Sequence, residues 1–190
     1  MHPLGYLITF PTYGTWLHGT NRGSVDRAHN IPGTPRLKED EPRESRERSS
    51  MSSPPFELDA ESRFVVDAVV KEVCEYRRWN LHAINPRTTH VHIVVTASHS
   101  PERVMNDLKG YCTRNMRAVG VIAETFEPWV YHGSTRYLNT PDSLARAIRY
   151  VLYEQGELLP MVKPVKWEEV QARKARKPEA RKAGVTQSKV

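Results

Sequence analysis

Between His90 and Thr96 the chain reads HVHIVVT, and few other stretches leave so little choice of local structure. Val91, Ile93, Val94 and Val95 are β-branched and lie almost consecutively, a pattern that favours an extended strand. Residues two apart in a strand share a face. His90 and His92 therefore point to one side, and Val91, Ile93 and Val95 to the other. A second β-rich run, Asn80–Asn85, precedes it across a short Pro-containing turn, which predicts a hairpin.

Helix signals flank the hairpin. Ser100-Pro101-Glu102 supplies an N-cap, a proline at the first helical position and an acid in the first turn, opening a helix to about Val119. Thr140-Pro141-Asp142 repeats the signal and opens a helix to about Gln155, with Gly156 beyond it as a C-cap. Upstream, Asp59 caps a helix to about Arg77 that places Val66, Val69, Val70, Val73 and Cys74 on one face. Gly5–Phe10 reads as a strand, and a short strand is expected near Ser134–Leu138. The order β, α, β, β, α, β, α predicts an α+β fold. Its natural closure is an antiparallel sheet with two helices on one face, similar to the ferredoxin-like split βαβ arrangement.

Composition qualifies this picture. Hydrophobic residues make up 38% of 190 and there are 14 prolines, so part of the chain is expected to lie outside the core. Pro35–Pro55 contains only Leu37 and Met51 as large apolar residues, too little to offset the entropy of ordering it. It reads as a disordered acidic, Ser- and Pro-rich insertion at about 35–55. No run approaches the roughly 18 apolar residues of a membrane span, and the first residues lack the basic start and small-residue cleavage site expected of a secretory signal. Cys74 and Cys112 fit no metal or redox spacing and read as reduced thiols of a cytosolic protein.

The formal net charge is +6, and it is concentrated at one end. From Lys163 onward there are nine Lys/Arg against three Glu, so residues 1–162 balance to zero. We expect a domain over 1–160 and a basic tail over 161–190. Such a tail is either a general polyanion attractor or a solvated, helix-prone extension.

Two imidazoles on one strand face suit a divalent metal that polarises a phosphate, or else two hydrogen-bonded histidines on a half-exposed sheet. A histidine-triad hydrolase would want a third histidine at position 94, where Val94 stands. On the last helix, at about 100° per residue, Leu144, Ile148, Val151 and Leu152 form a core-facing stripe. Tyr150 and Glu154 flank it together at i, i+4, Gln155 lies near the stripe, and Tyr153 points nearly opposite. Tyr150 is the better nucleophile and Glu154 the better third ligand. Otherwise Tyr150 covers the core rim with its hydroxyl in water.

These residues converge on a family. The chain resembles the single-tyrosine HUH transposases, in particular the REP-associated tyrosine transposases and their insertion-sequence relatives (IS200-like). The resemblance runs from Tyr6 to Gly156. It rests on TYGTWLHGTNRG (Thr12–Gly23), HVHIVV, DLKGYCTRN (Asp107–Asn115) and GSTRYLNTPDSLARAIRYVLYEQG (Gly133–Gly156). Many relatives carry an Asn-Pro pair shortly after the tyrosine, whereas this chain runs on through Glu154-Gln155-Gly156.

The resemblance implies an HUH endonuclease fold in which His90, His92 and Glu154 hold Mg²⁺ or Mn²⁺. Tyr150 would then attack a phosphate of single-stranded DNA, leaving a 5′-phosphotyrosine and a free 3′-OH. It also implies action at or beside hairpin-forming repeats, in the bacterial cytoplasm at the nucleoid, by a monomer or a homodimer and without a membrane partner. For DNA contacts, Lys109 and Arg114 are expected near the phosphate backbone. Trp16, His18 and Arg22 are expected to stack on or pair with unstacked bases, or Trp16 anchors its loop to the core. Arg136, with Trp129 and His132, carries the same two readings. Competing functions are a nucleic-acid-binding protein of the same fold that has lost cleavage, and a small-molecule phosphohydrolase.

Overall fold

The computed structural model describes residues 3–20 and 38–183. Four strands, β1 (Gly5–Pro11), β2 (Asn80–Pro86), β3 (His90–Thr96) and β4 (Ser134–Leu138), form one sheet in the order β2-β3-β1-β4. Every neighbouring pair is antiparallel. This is the expected ferredoxin-like order, with β3 inserted between β1 and β2.

Helices α2 (Ala60–Arg77) and α3 (Pro101–Val119) make the two crossovers and cover one face. Their buried valines, Leu108, Cys112 and Met116 pack on Tyr6, Ile8 and Phe10 of β1 and on Val91, Ile93 and Val95 of β3. The caps form where the sequence signals them: Asp59 accepts from the Ser62 N–H and Ser100 from the Arg103 N–H. Arg78 and Gly120 close the two helices in the left-handed region.

The opposite face is covered by α4 (Pro141–Tyr153). Its Ala147 and Val151 are buried on Ala83, Val94 and Leu138, with Leu144, Ile148 and Leu152 packed alongside. This face carries His90 and His92. The helix ends at Tyr153, short of the expected Gln155, because Glu154 already leaves helical geometry (φ −110°, ψ 13°).

Two polar segments are more structured than their composition predicts. Within the stretch read as disordered, α1 (Glu41–Ser49) forms without burying a single residue. Asp40 caps it, Glu41 and Glu44 stand at its start, Arg46 and Arg48 at its end, and Arg48 pairs with Glu44 at 2.6 Å. It is also docked: the Asp40 N–H donates to the Gly19 carbonyl, and the Glu47 carboxylate accepts from the His18 N–H. Gly19 (φ +90°) lies so close that a Cβ there would meet the Asp40 carbonyl oxygen at 2.4 Å.

The region read as a basic tail contains α5 (Trp167–Ala183). Trp167 and Val170 are buried in the main core, Trp167 edge-on to Phe64 at 5.4 Å. Lys174 reaches Glu72 of α2 at 2.9 Å. The folded unit therefore extends beyond residue 160.

Candidate active site

Strand register assembles the site. His92 lies opposite Thr9 on β1 and Asn85 on β2, so these three side chains cross the α4 face of the sheet in one row. His90 follows in the next row, opposite Pro11, with the two imidazole centroids 4.5 Å apart. His92 is 5% exposed and its Nδ1 meets Thr9 Oγ1 at 2.7 Å, which orients the ring and leaves Nε2 for another partner. Burial holds its pKa far below the usual value, at about 4. The neighbouring His90 and Arg87 add to that, while a hydrogen bond with the Gln155 side chain opposes it. His90 Nδ1 lies 3.1 Å from Thr89 Oγ1.

Tyr150 meets the histidines from above. Its ring centroid stands 5.4 Å from that of His92, and the residue is 38% exposed and lines the cleft. Tyr153, 76% exposed, belongs to the outer surface. The last turn of α4 is fixed by Asn85, whose Nδ2 donates to the Val151 carbonyl at 2.9 Å and satisfies a group that the helix end leaves without a partner. Arg87 holds the following turn through the Glu157 carbonyl.

The C-terminal end of α4 differs from the helical extrapolation. With the helix stopping at Tyr153, the Glu154 carboxylate pairs with Arg149 at 3.1 Å on the exposed side, though the residue still lines the cleft. The neighbouring Gln155 turns toward the sheet. Its amide nitrogen lies 3.3 Å from the Tyr150 and Glu154 carbonyl oxygens, and its side chain opposes the fall in the His92 pKa. Among the described residues no group of three or more His, Cys, Asp or Glu is gathered to hold a metal ion. His90 and His92 supply two imidazole donors on one face, of the kind that suits a divalent ion, and Glu154 lines the same cleft as His92.

The residues expected to touch DNA fall around two clefts that share one wall. Trp16, 39% exposed with its ring 6.1 Å from His90, lines both. Its loop is pinned beside the histidines: the Thr12 and Thr15 hydroxyls both donate to the Thr89 carbonyl. The first cleft, of about 570 Å³, contains His92, Tyr150, Glu154 and Arg136. The second, of about 730 Å³, contains His18, Lys109 and Arg114. Arg114 lies with its guanidinium 4.5 Å over the Tyr111 ring and is exposed.

Lys109 has a different place from the one expected. It is 7% exposed, and its Nζ donates to the carbonyls of Val130, Tyr131 and His132 at 2.8, 3.3 and 3.1 Å. Its ammonium thus ties the segment before β4 to α3 and does not face outward as a phosphate contact would. Burial draws its pKa down to about 8. Trp129 is likewise a core residue, edge-on to Phe10 and donating to Thr113 Oγ1. Arg22 lies outside the described residues. Sequence reasoning missed Thr9, Asn85 and Gln155 as neighbours of the site, because the strand register and the stopping point of α4 are tertiary facts.

Residues 57–128 match the model of the IS200-like transposase family. The family resemblance read from the sequence is borne out over that stretch, which takes in both histidines and ends before Tyr150. No curated protein matches the chain. One similar solved structure is a REP-associated tyrosine transposase bound to a REP hairpin: 8% identity, 80% of this chain and 66% of that one, TM-score 0.43. Another, from Deinococcus radiodurans R1 and provisionally described as a transposase, has 12% identity over 83% of this chain and 95% of that one, TM-score 0.40. No helix among the described residues is long and apolar enough to cross a membrane.

Proposed function

We propose that the protein is a metal-dependent, single-strand-specific DNA endonuclease and transposase that nicks and rejoins DNA through Tyr150. The observation that carries this reading is the convergence of Tyr150 and His92 across the sheet–helix boundary, ring centroids 5.4 Å apart, in an open cleft. The family match over residues 57–128 supports it. The substrate is single-stranded DNA at or beside hairpin-forming repeats, and the place of action is the bacterial nucleoid.

In this mechanism His90 and His92, with an oxygen from Glu154 or Gln155, would hold Mg²⁺ or Mn²⁺. The bound ion would supply Lewis-acid polarisation of the scissile phosphate. The Tyr150 phenol loses its proton and its oxygen attacks phosphorus. The bond from phosphorus to the 3′-oxygen breaks, and that oxygen leaves as a 3′-OH after taking a proton. The 5′ end stays on the tyrosine, so a second 3′-OH can reverse the step without an external energy source. Thr9 and Asn85 act indirectly, the first by orienting His92 and the second by holding the turn that carries Tyr150. Trp16 and Arg136 line the cleft where bases and phosphates would enter.

A second reading, a DNA-binding protein of the same fold that has lost cleavage, is favoured by one observation: Glu154 is held by Arg149 on the exposed side. Incubating labelled single-stranded hairpins and matched duplexes with Mn²⁺ decides between the two. We expect nicking of single strands only, abolished by a chelator and by His92→Ala. Binding without nicking would favour the second reading, and chelator-insensitive cutting would refute the metal's role.

A further inference from the structure

Arg146 stands one turn before Tyr150 on α4, and Arg136 lies on the neighbouring strand β4. Both line the cleft that holds His92 and Tyr150. The walls of this groove are α4 and the outer strand of the sheet. Ser143 and Ser134 place one hydroxyl residue on each wall, and the buried Ala147 and Leu138 give it an uncharged floor.

Charge decides what such a groove accepts. Among the described residues, neither Arg136 nor Arg146 has a carboxylate at ion-pair distance. The acid on the lining, Glu154, is occupied by Arg149. The Ser143 hydroxyl donates to the Thr140 carbonyl in the helix cap, so the two guanidiniums over an apolar floor carry the match to phosphodiester oxygens, which a guanidinium fork binds in bidentate fashion.

We infer that this groove carries the phosphodiester backbone of the single strand to Tyr150, with Arg146, opposed by Arg136, gripping a phosphate next to the one attacked. The inference rests on the nickase reading for the end point of the path, but it concerns binding and can be tested apart from cleavage. Arg146 is here a positioning residue, because it holds the strand without touching the reacting atoms.

The test measures binding of a fluorescent single-stranded oligonucleotide across a salt series. The proteins are wild type, Arg146→Gln, Arg146→Lys and the remote control Lys71→Gln, whose side chain pairs with Asp67 on α2. A parallel series uses oligonucleotides carrying one uncharged methylphosphonate, moved stepwise along the strand. Arg146→Gln is expected to weaken binding about tenfold at low salt and to lower the log–log salt slope by about 1. Arg146→Lys should restore most of the affinity and Lys71→Gln should change nothing. At one of these positions the methylphosphonate should cost wild type a similar factor and cost Arg146→Gln nothing more. An unchanged slope in Arg146→Gln, or losses that simply add, would overturn the groove whether or not the wild type nicks. Arg146-dependent binding by a wild type that never nicks would keep the groove and remove the nickase.

Discussion

Burial and its neighbours draw His92 down to about 4, so the imidazole is neutral near pH 7 and offers a lone pair. The same force acts on Lys109, where it meets a different arrangement. Three backbone carbonyls accept from its Nζ, which makes the residue a structural clasp. Lys109→Met should destabilise the fold by roughly 2 kcal/mol, the order expected when hydrogen bonds to a charged group are lost and their acceptors left buried. Its salt slope for DNA binding should stay at the wild-type value, and a drop of about 1 would make Lys109 a phosphate contact after all. The pH dependence follows from the lowered pKa. Between about 8 and the ordinary 10.5 the unfolded lysine binds more protons than the folded one, so stability should climb across that window. Chemical denaturation of wild type and Lys109→Met at pH 7 and 10 measures this. A gap between the two proteins that narrows toward pH 10 would contradict it. The sequence announced that a lysine stood in a family-like stretch. It could not announce where the ammonium points, because that depends on the path of the chain from Val130 to His132.

At the scale of elements, the capped starts were legible because caps are local chemistry. Asp59, Ser100 and Thr140 each accept the backbone N–H three residues on. The end of α4 was less legible. A Gly beyond the helix was visible, but the Asn85 bond to the Val151 carbonyl and the Arg87 bond to the Glu157 carbonyl come from strands and turns far along the chain. These contacts fix the turn that follows α4 and leave Glu154 paired with Arg149. Helix α1 was misread for a related reason, since composition underestimates a polar helix held by pairing, and α5, legible only as a helix-prone extension, is docked through Trp167 and Val170. For α5 the consequence is measurable. Trp167→Ala should lower stability by about 3 kcal/mol, typical of a buried aromatic truncation, although the residue lies in a segment that looks like a solvated tail. A thermal melt within experimental error of wild type would show that α5 is not docked through Trp167.

For the whole molecule, the sheet separates two tasks. The α2–α3 face holds the main core, including Cys74 and Cys112, and the α4 face holds the smaller core and the site. Burial raises the pKa of both thiols, Cys74 to about 11, so neither should react with a thiol reagent until the protein unfolds. Rapid labelling under native conditions would count against this core. The split βαβ order was legible from the alternation of strand and helix signals, whereas the assignment of α4 to the far face emerged only with the fold. The basic end of the chain must be reconsidered on the same ground. A cut at residue 163 would remove Trp167 and Val170 from the core, so the polyanion role is tested by deleting 176–190. That deletion should leave the melting temperature intact and flatten the salt dependence of DNA binding. An unchanged slope would leave these residues without that role.

The central claim concerns one bond, between Tyr150 and a DNA 5′-phosphate. Its most direct test is a denaturing gel of the protein incubated with Mn²⁺ and labelled, partly randomised single-stranded hairpins, comparing wild type with Tyr150→Phe. The account predicts a covalent protein–DNA adduct in wild type that is absent from Tyr150→Phe and from chelated samples. An adduct that survives in Tyr150→Phe, with Tyr153 as its attachment point, would contradict it.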